Sequence, residues 1–172
     1  FFATDVDGNE LTDLIGIRDD TVFWVEAADK TGTSWTASPV GKVEKGRTQG
    51  HATAKLVPGS KPQLVLTRGK NLYVLEIPDD PNKEPWLLHR ISTANEEEGI
   101  AIGDIDGDGD LDIAAVHADG HHVMWLENPG SLSLEWKMHI VGGQLDDSQV
   151  WLDRLALADL NGDGRLDIIA TE

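Results

Sequence analysis

Short runs of apolar and β-branched residues, separated by polar turns, follow one another along the whole chain. Thr21–Glu26, Asn71–Ile77 and His122–Asn128 are three such runs, and each is followed by a further run that begins at a tryptophan. Runs of this length and composition predict β-strands, and no stretch shows the 3.6-residue period of an amphipathic helix. The pattern therefore predicts an all-β protein.

The strand pattern repeats about every fifty residues, because corresponding segments start at Asp5, Lys55, Asp104 and Asp159. This period is typical of β-propeller blades. We expect four-stranded antiparallel blades, about three and a half of them, in one propeller. The predicted units span about 1–46, 50–93, 99–143 and 155–172. Residues 95–98 are expected to form a short acidic turn, and 142–153 the longest loop. Because a propeller usually has four to eight blades, we expect further blades from a longer parent protein or another copy of this chain.

Composition excludes several classes of partner and chemistry but does not identify a function. The chain has 172 residues, a formal net charge of −17 and no cysteine. The acidic balance argues against nucleic acid and anionic membrane surfaces as partners, and no apolar stretch is long enough to insert into a membrane. The absence of cysteine excludes disulfides, thiol catalysis and cysteine-based zinc sites.

The acidic loop Asp104–Asp112 carries the clearest candidate chemistry. It has carboxylates at its first, third, fifth and ninth positions, and its glycines permit a tight turn. Converging oxygen ligands suit Ca²⁺, which accepts six to eight oxygens in flexible geometry. The expected ligands are side-chain oxygens of Asp104, Asp106, Asp108 and Asp112 and the backbone carbonyl of Asp110.

Two further loops repeat this spacing, so we expect about three calcium sites. The first contains Asp5, Asp7, Asn9, Leu11 and Asp13, and the last contains Asp159, Asn161, Asp163, Arg165 and Asp167. The second unit has lysines and no carboxylate at these positions, and we expect no calcium there. An EF-hand is excluded, because position twelve is Ala115 or Ala170 and a strand, not a helix, follows.

These loops resemble the FG-GAP/VCBS repeat family, whose repeats form blades of integrin-α-like calcium-binding β-propellers. The resemblance implies an extracellular or cell-surface module for recognition or adhesion, with a glycan or an extracellular protein as ligand and calcium in a structural role. Two alternatives stay open. In the first, the chain is part of a propeller-type polysaccharide lyase or another carbohydrate-active enzyme. In the second, it is a calcium-dependent self-assembling element. We expect no catalytic residue in this chain itself.

Recurring aromatic and titratable residues are interpreted as structural. The tryptophans at 24 and 125, and those at 35, 86 and 136, occupy equivalent repeat positions and are expected to pack between blades. His89 and His139 recur on fourth strands, as do the glutamates at 26, 76 and 127 on third strands. His117, His121 and His122 cluster at one hairpin tip, where exposed histidines are the simpler interpretation and a transition-metal site is the alternative.

Overall fold

The computed structural model describes residues 2–142 and 151–172, which form fourteen β-strands in four antiparallel sheets. Sheet I contains β1 (Phe2–Thr4), β2 (Asp13–Arg18), β3 (Thr21–Ala27) and β4 (Trp35–Lys42). Sheet II contains β5 (His51–Ala54), β6 (Gln63–Arg68), β7 (Asn71–Glu76) and β8 (Leu87–Ser92). Sheet III contains β9 (Asn95–Gly103), β10 (Asp112–His117), β11 (Val123–Glu127) and β12 (Lys137–Val141). Sheet IV is the hairpin of β13 (Arg154–Ala158) and β14 (Asp167–Thr171).

Strands pair with their chain neighbours throughout, so each sheet is a meander. The predictions of an all-β fold and of four-stranded antiparallel repeats are therefore confirmed. The described residues contain no helix, and hence none that is long and apolar enough to span a membrane. Closure into a propeller stays a prediction.

One local prediction is wrong. Residues 95–98 do not form an acidic turn, because β9 starts at Asn95 and pairs with β10 across an irregularity in register. The Asn95 N–H donates to the carbonyl of Lys70, and the Ala118 N–H donates to that of Ala94. These bonds attach the start of β9 to the neighbouring turns and satisfy the Asn95 N–H. The predicted loop at 142–153 lies mostly outside the described residues.

Sheet II is packed on both faces, between sheets I and III. Side chains alternate across a strand, and β6 and β7 show this in their contacts. Leu64, Leu66 and Leu75 join the core shared with sheet I. Val65 and Val74 join the core shared with sheet III. Face-to-face stacking of successive sheets is the arrangement expected of propeller blades.

The first and second strands of every sheet are joined by the segment that corresponds to the acidic loop, at 5–13, 55–63, 104–112 and 159–167. Hydrogen bonds link neighbouring loops, directly between the first two and through Asn128, which follows β11, between the second and third. The Lys61 ammonium donates to the Val6 carbonyl at 3.4 Å, and the Asn128 amide donates to the Leu56 carbonyl at 2.8 Å. The fold therefore gathers the first three loops on one side of the stacked sheets.

Candidate metal centres

The three acidic loops share one internal hydrogen-bond scheme. The first-position carboxylate accepts the backbone N–H groups of the fourth and sixth residues, with N···O distances of 2.7–3.1 Å. The side chain at the third loop position accepts the backbone N–H of the fifth residue. The side chain at the fifth position accepts the backbone N–H of the seventh residue, and the N···O distances are again 2.7–3.1 Å. Such side-chain-to-backbone turns are typical of Asp and Asn. They fold each loop tightly and keep its oxygens together.

The residues at the seventh loop position, which are expected to supply carbonyl ligands, make equivalent hydrogen bonds in the three loops. Leu11, Asp110 and Arg165 each donate a backbone N–H to the side chain of the fifth residue, which is Asn9, Asp108 or Asp163. This bond explains why Asn can replace Asp at that position, since an amide oxygen accepts it equally well.

The sixth position requires a left-handed backbone. Gly109 and Gly164 have φ of 97° and 86°, where a glycine has no Cβ to clash. The first loop has Glu10 there, with φ of 65°. A non-glycine residue in this region is strained by about 1 kcal/mol or more, so the first loop is locally less favourable than the other two.

The carboxylate at the ninth loop position has a structural role that the sequence analysis missed. Asp13, Asp112 and Asp167 each accept the N–H of the second loop residue, at 3.2, 3.0 and 3.0 Å. Asp13 and Asp112 are buried, and each accepts a further N–H at the end of the third strand, from Ala27 at 2.8 Å and Asn128 at 2.9 Å. This carboxylate therefore fastens the loop to its sheet.

The structure brings three of the predicted carboxylates together in each of two loops, and Asp112 is not in the second group. Carboxylate oxygens of Asp5, Asp7 and Asp13 lie within 4.8 Å of one another, as do those of Asp104, Asp106 and Asp108. In the loop at 159–167, all of which is described, no three carboxylates come this close. Its third position is Asn161, which supplies an amide oxygen instead.

Burial and charge repulsion raise the pKa of carboxyl groups in and next to these loops. Burial raises the pKa of Asp112, backbone hydrogen bonds from Asn128 and Ile105 partly offset this, and the charges of Asp106 and Asp108 raise it further. In sheet I, burial and then the charges of Asp7 and Asp13 raise the pKa of Glu26. A bound cation would relieve this repulsion.

In the corresponding loop of sheet II, a neutral side chain makes a hydrogen bond that the ninth-position carboxylate makes in the acidic loops. Gln63 stands at the ninth position, and its Oε1 accepts the Leu56 N–H at 2.8 Å. Its Nε2 donates to the carbonyl of Lys61, the seventh residue, at 2.8 Å. That carbonyl corresponds to the one expected to bind calcium in the other loops. One glutamine thus fastens the loop and occupies a ligand position.

Two more residues that the sequence analysis did not assign support the loops. The Trp24 indole N–H donates to Asp13 at 3.0 Å, so this buried tryptophan fixes a candidate ligand as well as filling the core. The Asn128 amide donates to the carbonyls of Leu56 and Leu111 at 2.8 and 3.0 Å. The recurrence of Trp24 suggested only packing, and a single Asn after a strand gave no signal.

The recurring tryptophans and glutamates differ in their surroundings. Trp24 and Trp136 are buried, but Trp35 is 42% exposed, so the expectation of packing is wrong for Trp35. Glu127 contacts His139 at 2.7 Å across β11 and β12, and Glu76 contacts His89 across β7 and β8. These glutamates therefore join strands within a sheet.

Comparison with known proteins gives a family match over part of the chain. Residues 104–170 match the FG-GAP-like repeat. The pore structure of the Photorhabdus luminescens Tc holotoxin is similar over 98% of this chain, at 17% identity and a TM-score of 0.49. The chain spans only 8% of the length of that protein. No curated protein matches. Residues 104–170 are thus similar to an FG-GAP-like repeat, the family that the acidic loops resemble in the sequence.

Proposed function

We propose that this chain is the calcium-binding part of an extracellular β-propeller that recognises a glycan or another protein, and that calcium has a structural role. The observation that carries the proposal is the hydrogen-bond scheme that recurs in the loops at 5–13, 104–112 and 159–167. It places oxygen-bearing side chains at the same loop positions in three repeats of one chain, and three carboxylates converge in the first two of these loops.

The donor set favours calcium over softer metals. The side chains that converge in these loops offer oxygen atoms, which suit hard cations. Backbone N–H groups engage Oδ1 of Asp106 and Oδ1 of Asp108. The Oδ2 atoms of these two aspartates have no hydrogen bond to the described residues and are suited to a cation. Glycine-rich turns also allow the variable geometry that calcium tolerates.

A structural role follows from the position of the loops. Each one joins the first two strands of a sheet, and hydrogen bonds from Lys61 and Asn128 link the loops of sheets I to III. Neutralising the carboxylates would remove the repulsion that acts within the acidic loops. An ion that binds only the folded state adds stability in proportion to RT ln(1 + [Ca²⁺]/Kd).

A cleft beside the first loop supports recognition. It has a volume of about 320 Å³ and is lined by Glu10, Thr12, Asp29 and the half-exposed Trp35, among others. The Trp35 indole N–H donates to the Gly32 carbonyl at 2.9 Å, which fixes the ring. Small-ligand sites combine aromatic side chains with a few placed polar groups, and this cleft offers one fixed aromatic face beside polar side chains. Ordering of the first loop by calcium would order one wall of this cleft.

Two experiments test the proposal separately. Thermal unfolding with calcium and with excess chelator tests the structural role, and we expect a higher unfolding temperature with calcium. An unchanged temperature would contradict that role. Glycan and peptide arrays probed in calcium, followed by titration calorimetry of the best binder, test recognition.

For recognition, the decisive variant is Trp35→Ala, with Trp151→Ala as matched control because Trp151 is also exposed, at 59%. Loss of a buried aromatic contact at an interface weakens binding by about 30-fold or more. We expect this loss for Trp35→Ala and little change for Trp151→Ala. Turnover of a polysaccharide would instead favour the enzyme interpretation, and calcium-dependent oligomers would favour self-assembly.

A further inference from the structure

The hairpin between β10 and β11 brings two imidazoles to one carboxylate, away from the acidic loops. His117 Nδ1 lies 3.1 Å from Asp119 Oδ2, and His122 Nδ1 lies 2.7 Å from the same oxygen. All three ligand atoms lie within 4.8 Å of one another. The two rings meet edge to face, with centroids 6.4 Å apart.

The turn holds these side chains in place through its backbone. Asp119 Oδ1 accepts the N–H groups of His121 and His122 at 2.9 and 3.2 Å, so Oδ2 is directed towards the imidazoles. The His117 N–H donates to the His122 carbonyl at 2.8 Å. Gly120 has φ of 75°, and a Cβ there would overlap the Trp151 ring. The donor groups are therefore arranged before any ligand binds.

Hydrogen bonding within the cluster leaves one imidazole unsatisfied. Although His117 Nδ1 is close to Asp119, it is buried and makes no well-directed hydrogen bond to the described residues. Partial burial acts to raise the pKa of Asp119, but the His121 N–H and the His122 and His117 rings outweigh it, so the pKa is lowered.

A second unsatisfied group lies on the neighbouring strand. Asn95 is fully buried, and neither its amide oxygen nor its amide nitrogen has a partner among residues 2–142 and 151–172. Asn95 is the cross-strand partner of His117 in the pairing of β9 with β10. Directly opposed residues of an antiparallel pair project on the same face of a sheet, so this amide and the His117 ring share a face.

We propose that His117, Asp119 and His122 bind a divalent transition-metal ion of the zinc class, with Asn95 supporting the site through its unused amide. Two imidazole nitrogens and one carboxylate oxygen are a ligand set suited to zinc and copper, and unlike the all-oxygen set of the acidic loops. Tetrahedral bonds of 2.0–2.1 Å separate neighbouring ligand atoms by about 3.3 Å. The observed 3.1 and 2.7 Å separations need to widen by only a few tenths of an ångström.

Zinc titration calorimetry of the chain, with millimolar calcium present to compete at the acidic loops, tests this proposal. The variants are His122→Gln and, as matched control, His139→Gln. His139 also pairs with a carboxylate, Glu127, in the same sheet, but no second imidazole belongs to that pair in the described structure. We expect one zinc site to weaken by about 100-fold or more in His122→Gln and to persist in His139→Gln.

Cobalt in place of zinc adds a spectroscopic readout, because a tetrahedral site with nitrogen ligands absorbs strongly in the visible. We expect this absorption in the parent chain and its loss in His122→Gln. If His122→Gln does not fold by circular dichroism, Asp119→Asn replaces it. Its amide oxygen can accept the N–H groups of the turn while the charged ligand is removed. Unchanged zinc affinity in the folded variant, or equal loss in His139→Gln, would overturn the proposal.

Discussion

The two roles of the ninth carboxylate can be separated by comparing Asp112→Ala with Asp108→Ala. Both residues are candidate calcium ligands in one loop, but their surroundings differ. Asp112 is 1% exposed and accepts backbone N–H groups from Ile105 and Asn128. Asp108 is exposed and accepts one N–H within the loop, from Asp110. The first variant should therefore destabilise the chain with or without calcium, and the second only with calcium.

The expected magnitudes follow from these contacts. Hydrogen bonds to a charged group contribute about 1.5–3 kcal/mol each, so Asp112→Ala removes two such contributions. The cost of burying its charge, which raises its pKa, offsets part of them. We expect a loss of about 3 kcal/mol in chelator. Calcium at 10 to 100 times Kd adds about 1.4–2.7 kcal/mol per site, and both variants should lose this contribution.

The assay is urea unfolding of the parent and both variants, followed by tryptophan fluorescence, in calcium and in chelator. In chelator we expect Asp108→Ala to unfold within about 0.5 kcal/mol of the parent, as is usual for an exposed substitution. Equal losses for the two variants in chelator would refute the assigned structural role of Asp112. Full calcium stabilisation of Asp108→Ala would refute its role as a ligand.

Three further predictions concern single loops and pairs. Glu10→Gly should raise stability by about 1 kcal/mol in thermal unfolding, because it removes the strain of a positive φ of 65°, and Glu10→Ala should not. Gln63→Ala should lower the free energy of unfolding by about 1–3 kcal/mol, equally in calcium and in chelator, because it leaves the buried Leu56 N–H unsatisfied. A loss that depends on calcium would contradict the inference that the loop of sheet II binds no cation. The His139 ring and then Lys137 lower the pKa of Glu127 below its ordinary 4.5. The stability that this carboxylate contributes is therefore present above pH 4.5 and is lost as the pH falls through its pKa in the folded state. The difference in unfolding temperature between the parent and Glu127→Gln should shrink over that acidic range.

The sequence was sufficient for the strands and the repeat because both depend on local pattern. Runs of apolar and β-branched residues placed β6 and β7, and the acidic spacing located the turns before β2, β10 and β14. Residues 95–98 were misassigned because charge suggested a turn, whereas they belong to β9, whose first residue, Asn95, pairs with His117 of β10. Tertiary contacts commonly override such local preference.

Long-range contacts explain what the sequence did not predict. Recurrence suggested that Trp35 packs as Trp136 does, yet only Trp136 is buried. The second role of Asp112 depends on the N–H of Asn128, sixteen residues away, which no spacing rule identifies. The histidine cluster was visible at the hairpin tip, but the unsatisfied amide of Asn95 was not, because it comes from the preceding strand.

The number of calcium ions bound per chain tests the central claim most directly. The chain would first be freed of metal by chelator and then titrated with calcium in a calorimeter. Three bound ions are expected for the parent and two for Asp108→Ala, since the loop of sheet II has Gln63 in place of the ninth carboxylate. Absence of calcium binding, or an unchanged count in Asp108→Ala, would contradict the account.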